Sequence, residues 1–489
     1  MDKGKLYFNG KFQTSLQQGW LPNTDPSTGE KIGEYALAHC DEVDEAVDVA
    51  HKAFETWRHT SRFSRGDYID RLIQVTRARR DQIAKAISRD TGKSLNESHA
   101  EITESIHAAQ YTFGNARMPS GDIISSELAE RDMYTIRKPK GVVAIIAPWN
   151  FPLAIGGYWC AAPAIAEGNT VVFKPSEDSP LVGQIIAELY HEAGFPAGVF
   201  NMVQGDGKTG SRLAHHSKVA HICFTGSVTV GQHIRRICAE SVSKTCSCEM
   251  GSKSACMIFA DGDYNLGLAA AINSAFKLSG QRCVSSGRIL IERPIYDRFC
   301  RDFTDLASKV TVGSPFAEGN KPFMGPLINA AQRDRVERYN GLTVADPDVT
   351  VLLAGHRIEP GFFMTPHVYK CEWADKPFLR DEVFGPHVAL IPFDGADEAI
   401  KIYNDTPFGL AVGVVTSDFK KARYVRDRAD FGLGYWNSGS ISAESHNVFG
   451  GVKASGYGWP SAAGTVDAVT HKIAWSVNHG DLTFPQGLK

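Results

Sequence analysis

From about residue 140 the chain alternates short β-branched apolar runs with helix-length segments, and this alternation constrains its fold more than any other feature. The runs read GVVAIIAP, NTVVFKP, VFNMVQG, VAHICFTGS, KTCSCEMGS and SACMIFA. A second series, GRILIE, VTVLLAG, HVALIPF and GVVTS, lies between about 253 and 435. Strands that are apolar throughout need both faces covered, so they belong in parallel βαβ units with helices on either side. Two α/β units in intimate contact are expected. Residues 41–118 read instead as mostly helical. Val43, Val47, Ala50 and Phe54 form one stripe, and a further helical stretch is predicted from an N-cap at Ser64 to a stop at Gly92.

Bulk properties exclude more than they assign. A formal charge of -3 gives no global electrostatic reason to bind nucleic acid or an anionic membrane. MDKGKLYFNGKF, at the start, lacks the apolar core of a signal peptide. Residues 141–166 carry no formal charge and are long enough for a membrane span. Prolines and glycines interrupt them, however, and a buried strand, a turn and a buried helix are expected there. The ten cysteines show no framework spacing, which with no export signal points to free thiols in a reducing, cytoplasmic setting.

Several motifs carry less chemistry than they suggest. GDGKTG, 205–210, has dinucleotide-binding spacing, yet the acidic residue expected about 20 positions on is missing. A P-loop would need glycine where Met202 stands. The segment is expected to be a glycine turn near a cofactor. Cys246 and Cys248 would share a strand face but lack the partners of a metal site, so no metal is expected. Cys283 differs in its surroundings: SGQRC ends a helix-like segment at a glycine and turns before GRILIE. Such a turn can present a thiol at a cleft between domains. A catalytic thiol also needs donors for the oxyanion it creates, and this turn alone does not supply them.

Seven segments, in order, supply the wider context: PWNFP (148–152), GNTVVFKPSE (168–177), FTGS (224–227), EMGSK (249–253), GQRC (280–283), EVFGP (382–386) and FGGVKASGYG (449–458). Together they resemble the NAD(P)-dependent aldehyde dehydrogenase superfamily over essentially the whole chain. The resemblance implies that Cys283 attacks an aldehyde, that the Asn150 amide and the Cys283 N–H hold the alkoxide, and that Glu249 activates the water that hydrolyses the thioester. It implies a cofactor lined by Trp149, with Lys174 and Glu177 at the adenosine ribose and Gly226 and Ser227 at the pyrophosphate. Glu382 and Phe384 would meet the nicotinamide ribose and ring. Glu177 would repel a 2′-phosphate, favouring NAD over NADP.

The implied fold is two Rossmann-like parallel-sheet domains with a small β-ribbon. Residues 1–121 and 142–249, with 440–465 returning, would bind cofactor, and 250–439 would be catalytic. Residues 122–141 and 466–489 would form an oligomerisation ribbon and tail, giving a homodimer or homotetramer. Leu482, Phe484 and Leu488 in that tail are candidates to cover a subunit interface.

Two positions depart from the family pattern. Ser252 replaces a usual glycine after the base, and Trp159 stands where lysine is common. With Tyr158 and Trp436, Trp159 is expected to line the substrate pocket. The helix after NFP lacks the arginine common in members that take carboxylate-bearing semialdehydes, yet GYWNSGSISAESHNVFGG loosely resembles their substrate loop. A CoA-acylating relative is the alternative enzyme and a catalytically silent scaffold the alternative class. The presence of Glu249, and of Cys283, Asn150 and Glu249 together, argues against each in turn.

Overall fold

In the computed structural model, residues 2–16, 19–317, 321–459, 463–481 and 487 are described. Two twisted sheets organise them. In the first, the parallel strands run Thr245–Glu249, Val219–Thr225, Val142–Ile146, Thr170–Lys174 and Phe200–Met202 across the sheet. Gly456–Tyr457 pairs antiparallel at one edge, and Leu6–Phe8 with Lys11–Gln13 at the other. The strand order reverses about Val142–Ile146, and in open α/β sheets such a switch point opens a crevice at the carboxyl ends. The second sheet runs Thr350–Leu353, His367–Lys370, His387–Phe393, Arg288–Glu292, Ala255–Ile258, Ala411–Val415 and Leu433–Trp436. All its pairings are parallel except that of Thr350–Leu353 at the edge.

The runs picked out by pattern therefore lie in strands, and the reason is visible in burial. Val142, Val143, Ala144, Val171, Val172 and Phe173 are wholly buried because helices cover both faces. The expected stripe Val43, Val47, Ala50 and Phe54 is the buried side of helix Cys40–Trp57. The next helical stretch differs from expectation. Its N-cap is Ser61, which accepts from the Ser64 N–H, and the stretch breaks at Arg79 into Arg62–Ala78 and Arg80–Thr91. Gly92 does end it, in the left-handed region at φ 73°.

Residues 141–166 form the strand Val142–Ile146, a turn, a π-helical segment Pro152–Ala161 and the short helix Ala162–Ala166. No helix among the described residues is long and apolar enough to cross a membrane. A separate ribbon pairs Arg131–Pro139 with Thr470–Asn478 along their full lengths, and Ile123–Ile124 adds a third strand. Leu482, Phe484 and Leu488 lie outside the described residues.

Candidate active site

The seven segments converge where the carboxyl ends of the first sheet meet the amino ends of the second. Asn150, Lys174, Gly226 and Glu249 follow or end strands of the first sheet. Ser252, Cys283 and Phe384 precede strands of the second. The site is thus the seam between two units.

Cys283 is half-buried, on a turn that local propensity alone would not choose. Leu278 and Ser279 both adopt left-handed φ values, 54° and 56°, immediately before Gly280 at 72°. Each non-glycine residue there costs about 1–2 kcal/mol, so its surroundings must impose the bend. They do so through hydrogen bonds. The Ser279 hydroxyl donates to the Gly325 carbonyl at 2.7 Å, and the buried Gln281 side chain accepts from the Ile328 N–H at 3.0 Å. A Cβ at Gly280 would stand 2.3 Å from the Gly385 carbonyl oxygen, so only glycine lets GQRC pack against EVFGP.

Asn150 is buried, and its Nδ2 donates to the Gln281 carbonyl at 3.0 Å. An amide nitrogen carries two hydrogens. One of them ties Asn150 to the turn that carries Cys283.

Glu249 ends its strand deeply buried, and neither carboxylate oxygen has a hydrogen-bond partner among the described residues. Burial pushes its pKa well above the ordinary carboxylate value, and the nearby Gly451 N–H offsets only part of that. The Cys283 thiol is pushed up to about 12, first by burial and then by the negative charges of Glu249 and Glu382. At neutral pH Cys283 therefore rests as a protonated thiol.

Toward the expected cofactor, Lys174 is buried and donates to the Pro175 carbonyl at 2.7 Å and to Glu177 at 3.2 Å. The Glu177 carboxylate stays half-exposed with one oxygen uncommitted. Ser227 caps helix Val228–Ala239 by accepting from the Val230 N–H, and the helix begins directly after Gly226. Glu382 accepts from the Ser252 N–H at 2.8 Å through Oε1, and its pKa is pushed up to about 7 by burial. Phe384 takes a left-handed φ of 61° and meets Trp149 edge to face at 5.5 Å. The Ser252 hydroxyl bonds Ser254 at 2.6 Å, so the extra side chain is anchored away from Glu249.

The aromatic residues expected around the substrate separate. Trp159 is buried against Phe449, with ring centroids 5.2 Å apart, in the same apolar cluster as Cys283. Its Nε1 has no partner among the described residues. Tyr158 is instead tied by its hydroxyl to Thr76 within the core. Trp436 packs on Phe419 and donates to the Thr416 carbonyl, lining a small apolar hollow of about 270 Å³. Its neighbour Tyr435 packs on the same apolar cluster as Cys283, lies within electrostatic range of that thiol and donates its hydroxyl to the Ser442 carbonyl. A period-2 reading of LGYW places these two rings on opposite faces but leaves open which face is which. Glu104 was also missed, and it is within electrostatic range of Tyr435 and Arg282.

Comparison with known proteins identifies the family. Residues 12–473 match the model of the aldehyde dehydrogenase family. This chain belongs to the aldehyde dehydrogenase family. It is an oxidoreductase that acts on aldehydes. The chain is 33% identical over 486 residues to the betaine aldehyde dehydrogenase of Mesorhizobium japonicum, covering 98% of each. A putative aldehyde dehydrogenase from Burkholderia cenocepacia superposes with a TM-score of 0.94 at 33% identity, covering 99% of each chain. Betaine aldehyde dehydrogenase from Staphylococcus aureus, solved in complex with NAD+, superposes with a TM-score of 0.93 at 28% identity, covering 99% of this chain and 97% of that one.

Proposed function

We propose that this aldehyde dehydrogenase oxidises its substrate with NAD through a Cys283 thioester that Glu249-activated water hydrolyses. The observation that carries this reading is the buried Glu249 carboxylate, whose oxygens have no partner among the described residues, within electrostatic reach of the Cys283 thiol. A buried carboxylate without partners is costly and is poised to take a proton.

In the proposed mechanism the Cys283 sulfur bonds to the aldehyde carbon as the carbonyl π electrons move onto oxygen, and the thiol proton passes to solvent water. The Asn150 amide and the Cys283 N–H hold the resulting alkoxide where its charge develops. The residues present fit a dinucleotide: among the described residues Glu177 has an uncommitted oxygen for ribose hydroxyls and Glu382 another, and the capped start of the helix at Val228 would offer amide N–H groups to a pyrophosphate. Held by these residues, NAD would supply a hydride acceptor, and loss of hydride from the carbon bonded to Cys283 would leave a thioester on that sulfur. Glu249 then takes a proton from water as the oxygen attacks the thioester carbon, and the acid leaves as the Cys283 sulfur recovers its proton.

For the substrate itself, a cationic aldehyde is favoured over a carboxylate-bearing semialdehyde. Glu104 and Glu444 both bear on Tyr435, which lies within electrostatic range of Cys283, and Arg282 is already paired to Glu97 at 2.9 Å. A substrate carboxylate would meet negative charge with no free cation among these residues to offset it. A quaternary ammonium would meet that charge and the aromatic faces of Tyr435, Trp159 and Phe449. The names of the betaine aldehyde dehydrogenase relatives point the same way. The expected domain division and the pairing of ribbons into a dimer or dimer of dimers complete the reading, with residues 131–139 and 470–478 extending a neighbour's sheet.

The test is NADH production across trimethylammonio, aliphatic and carboxylated aldehydes. Cys283→Ala should abolish it for all of them. Activity surviving that change refutes the mechanism, and turnover requiring free CoA would replace hydrolysis by acyl transfer.

A further inference from the structure

Two buried charges take no part in the chemistry above. Lys93 and Glu101 pair at 2.5 Å with both side chains fully withdrawn from solvent. A buried ion pair is weak ground for stability, because desolvation offsets most of its attraction. What these two side chains also touch is the backbone of the turn that carries Asn150. The Lys93 ammonium donates to the Asn150 carbonyl at 2.8 Å and lies 4.0 Å from the centroid of the Phe151 ring. Glu101 Oε1 accepts from the N–H groups of Leu153 and Ala154, at 2.9 and 3.1 Å. Those N–H groups open the π-helical segment and have no acceptor within it. The turn is therefore held at both ends by one ion pair. Helix Leu95–Asn115 also carries Glu97, which holds Arg282 beside the nucleophile.

We propose that Lys93 and Glu101 are positioning residues that fix the turn 150–154, aiming the Asn150 amide at the oxyanion formed on Cys283. The proposal rests on the assignment of Asn150 as an oxyanion donor. The amide's other anchor, the Gln281 carbonyl, sets its distance from the nucleophile's turn, while the ion pair sets the backbone from which it projects. Displacing a catalytic group by about 1 Å costs on the order of a hundredfold in rate.

The test is the pre-steady-state NADH burst of the full-length enzyme with propionaldehyde and NAD. Asn150→Ala must slow the burst at least about tenfold, since an oxyanion donor contributes more than that. A normal burst in that variant overturns the Asn150 assignment itself. The pair Lys93→Met with Glu101→Leu should slow the burst about a hundredfold. NAD affinity and aldehyde KM should stay within about threefold, because contacts to the ground state are untouched. Lys93→Met alone strands a buried carboxylate and is expected to lose the fold. The paired apolar replacement leaves no charge unpaired and carries the test. In an Asn150→Ala background the same changes should cost less than about twofold, since residues acting through one group are not additive. Equal losses in both backgrounds, or a full burst rate in the paired apolar variant, overturn the proposal.

Discussion

Replacing Glu249 by glutamine keeps the shape of the side chain and removes its capacity to take a proton. Glu249 has no side-chain partner among the described residues and only the Gly451 N–H beside it, so Glu249→Gln disturbs little besides its proton. General-base catalysis contributes roughly 10²–10⁴ in rate, so steady-state turnover should fall about a thousandfold. The acylation half-reaction should survive. The expected trace is a burst of about one NADH per chain, followed by almost no steady state. Intact-mass spectrometry should then show the acyl group on the enzyme. Burst and steady state falling together by the same factor would refute the assignment, because Glu249 would then serve the thiol and not the water.

The same substitution has a stability signature of definite sign. Burial raises the folded pKa of Glu249, so the folded chain holds that proton more tightly than the unfolded chain does. This stabilisation is full below the unfolded value of about 4.3. It is lost as pH rises toward the folded value, at roughly 1.4 kcal/mol for each pH unit between the two. Glu249→Gln has no such loss. Its unfolding midpoint relative to the parent should therefore rise between pH 5 and pH 8, and a constant difference would contradict the burial argument.

Other consequences can be measured separately. Glu104 has its pKa pushed up to about 7, chiefly by burial, so it ionises as pH rises through neutrality. The KM for a trimethylammonio aldehyde should accordingly fall between pH 6 and pH 8 in the parent and stay flat in Glu104→Gln. Glu177→Gln should raise the ratio of kcat/KM for NADP to that for NAD about tenfold, the equivalent of ~1.4 kcal/mol of relieved repulsion. Trp436→Ala should leave kcat and aldehyde KM within about twofold, because its indole lies against Phe419 and Thr416, on the face opposite Tyr435. Trp475, 60% exposed on the ribbon strand Thr470–Asn478, should be covered in an assembly, so Trp475→Asp should shift sedimentation toward a monomer.

Much of the site was legible because its chemistry is carried by short contiguous segments. FTGS is a strand end and a helix cap in four residues, and Ser227 caps that helix. Illegible from sequence was everything requiring knowledge of which distant residue faces which. Tyr435 and Trp436 are adjacent, and only the register of their strand against Ala411–Val415 places the first on the apolar cluster of Cys283. Tyr158 and Trp159 divide the same way, one toward Thr76 and one toward Phe449. Lys93 and Glu101 left one faint trace, a glutamate on the apolar stripe of a helix beside the buried Ile102, Ser105 and Ala108.

The sequence by itself determined the parallel α/β architecture, since uninterrupted apolar strands have no other way to bury both faces. It also determined the chemical alphabet of the site: a thiol, an amide, a carboxylate and a glycine-bounded turn. Tertiary structure decided how those letters act. The left-handed bend at Leu278 and Ser279 costs energy that local sequence cannot recover, so it exists only because Gly325, Ile328 and Gly385 close around it. The pKa of Cys283 and the readiness of Glu249 to take a proton have the same origin. Both depend on how far two separate sheets exclude water from the seam between them, and that distance is set by packing across the whole chain.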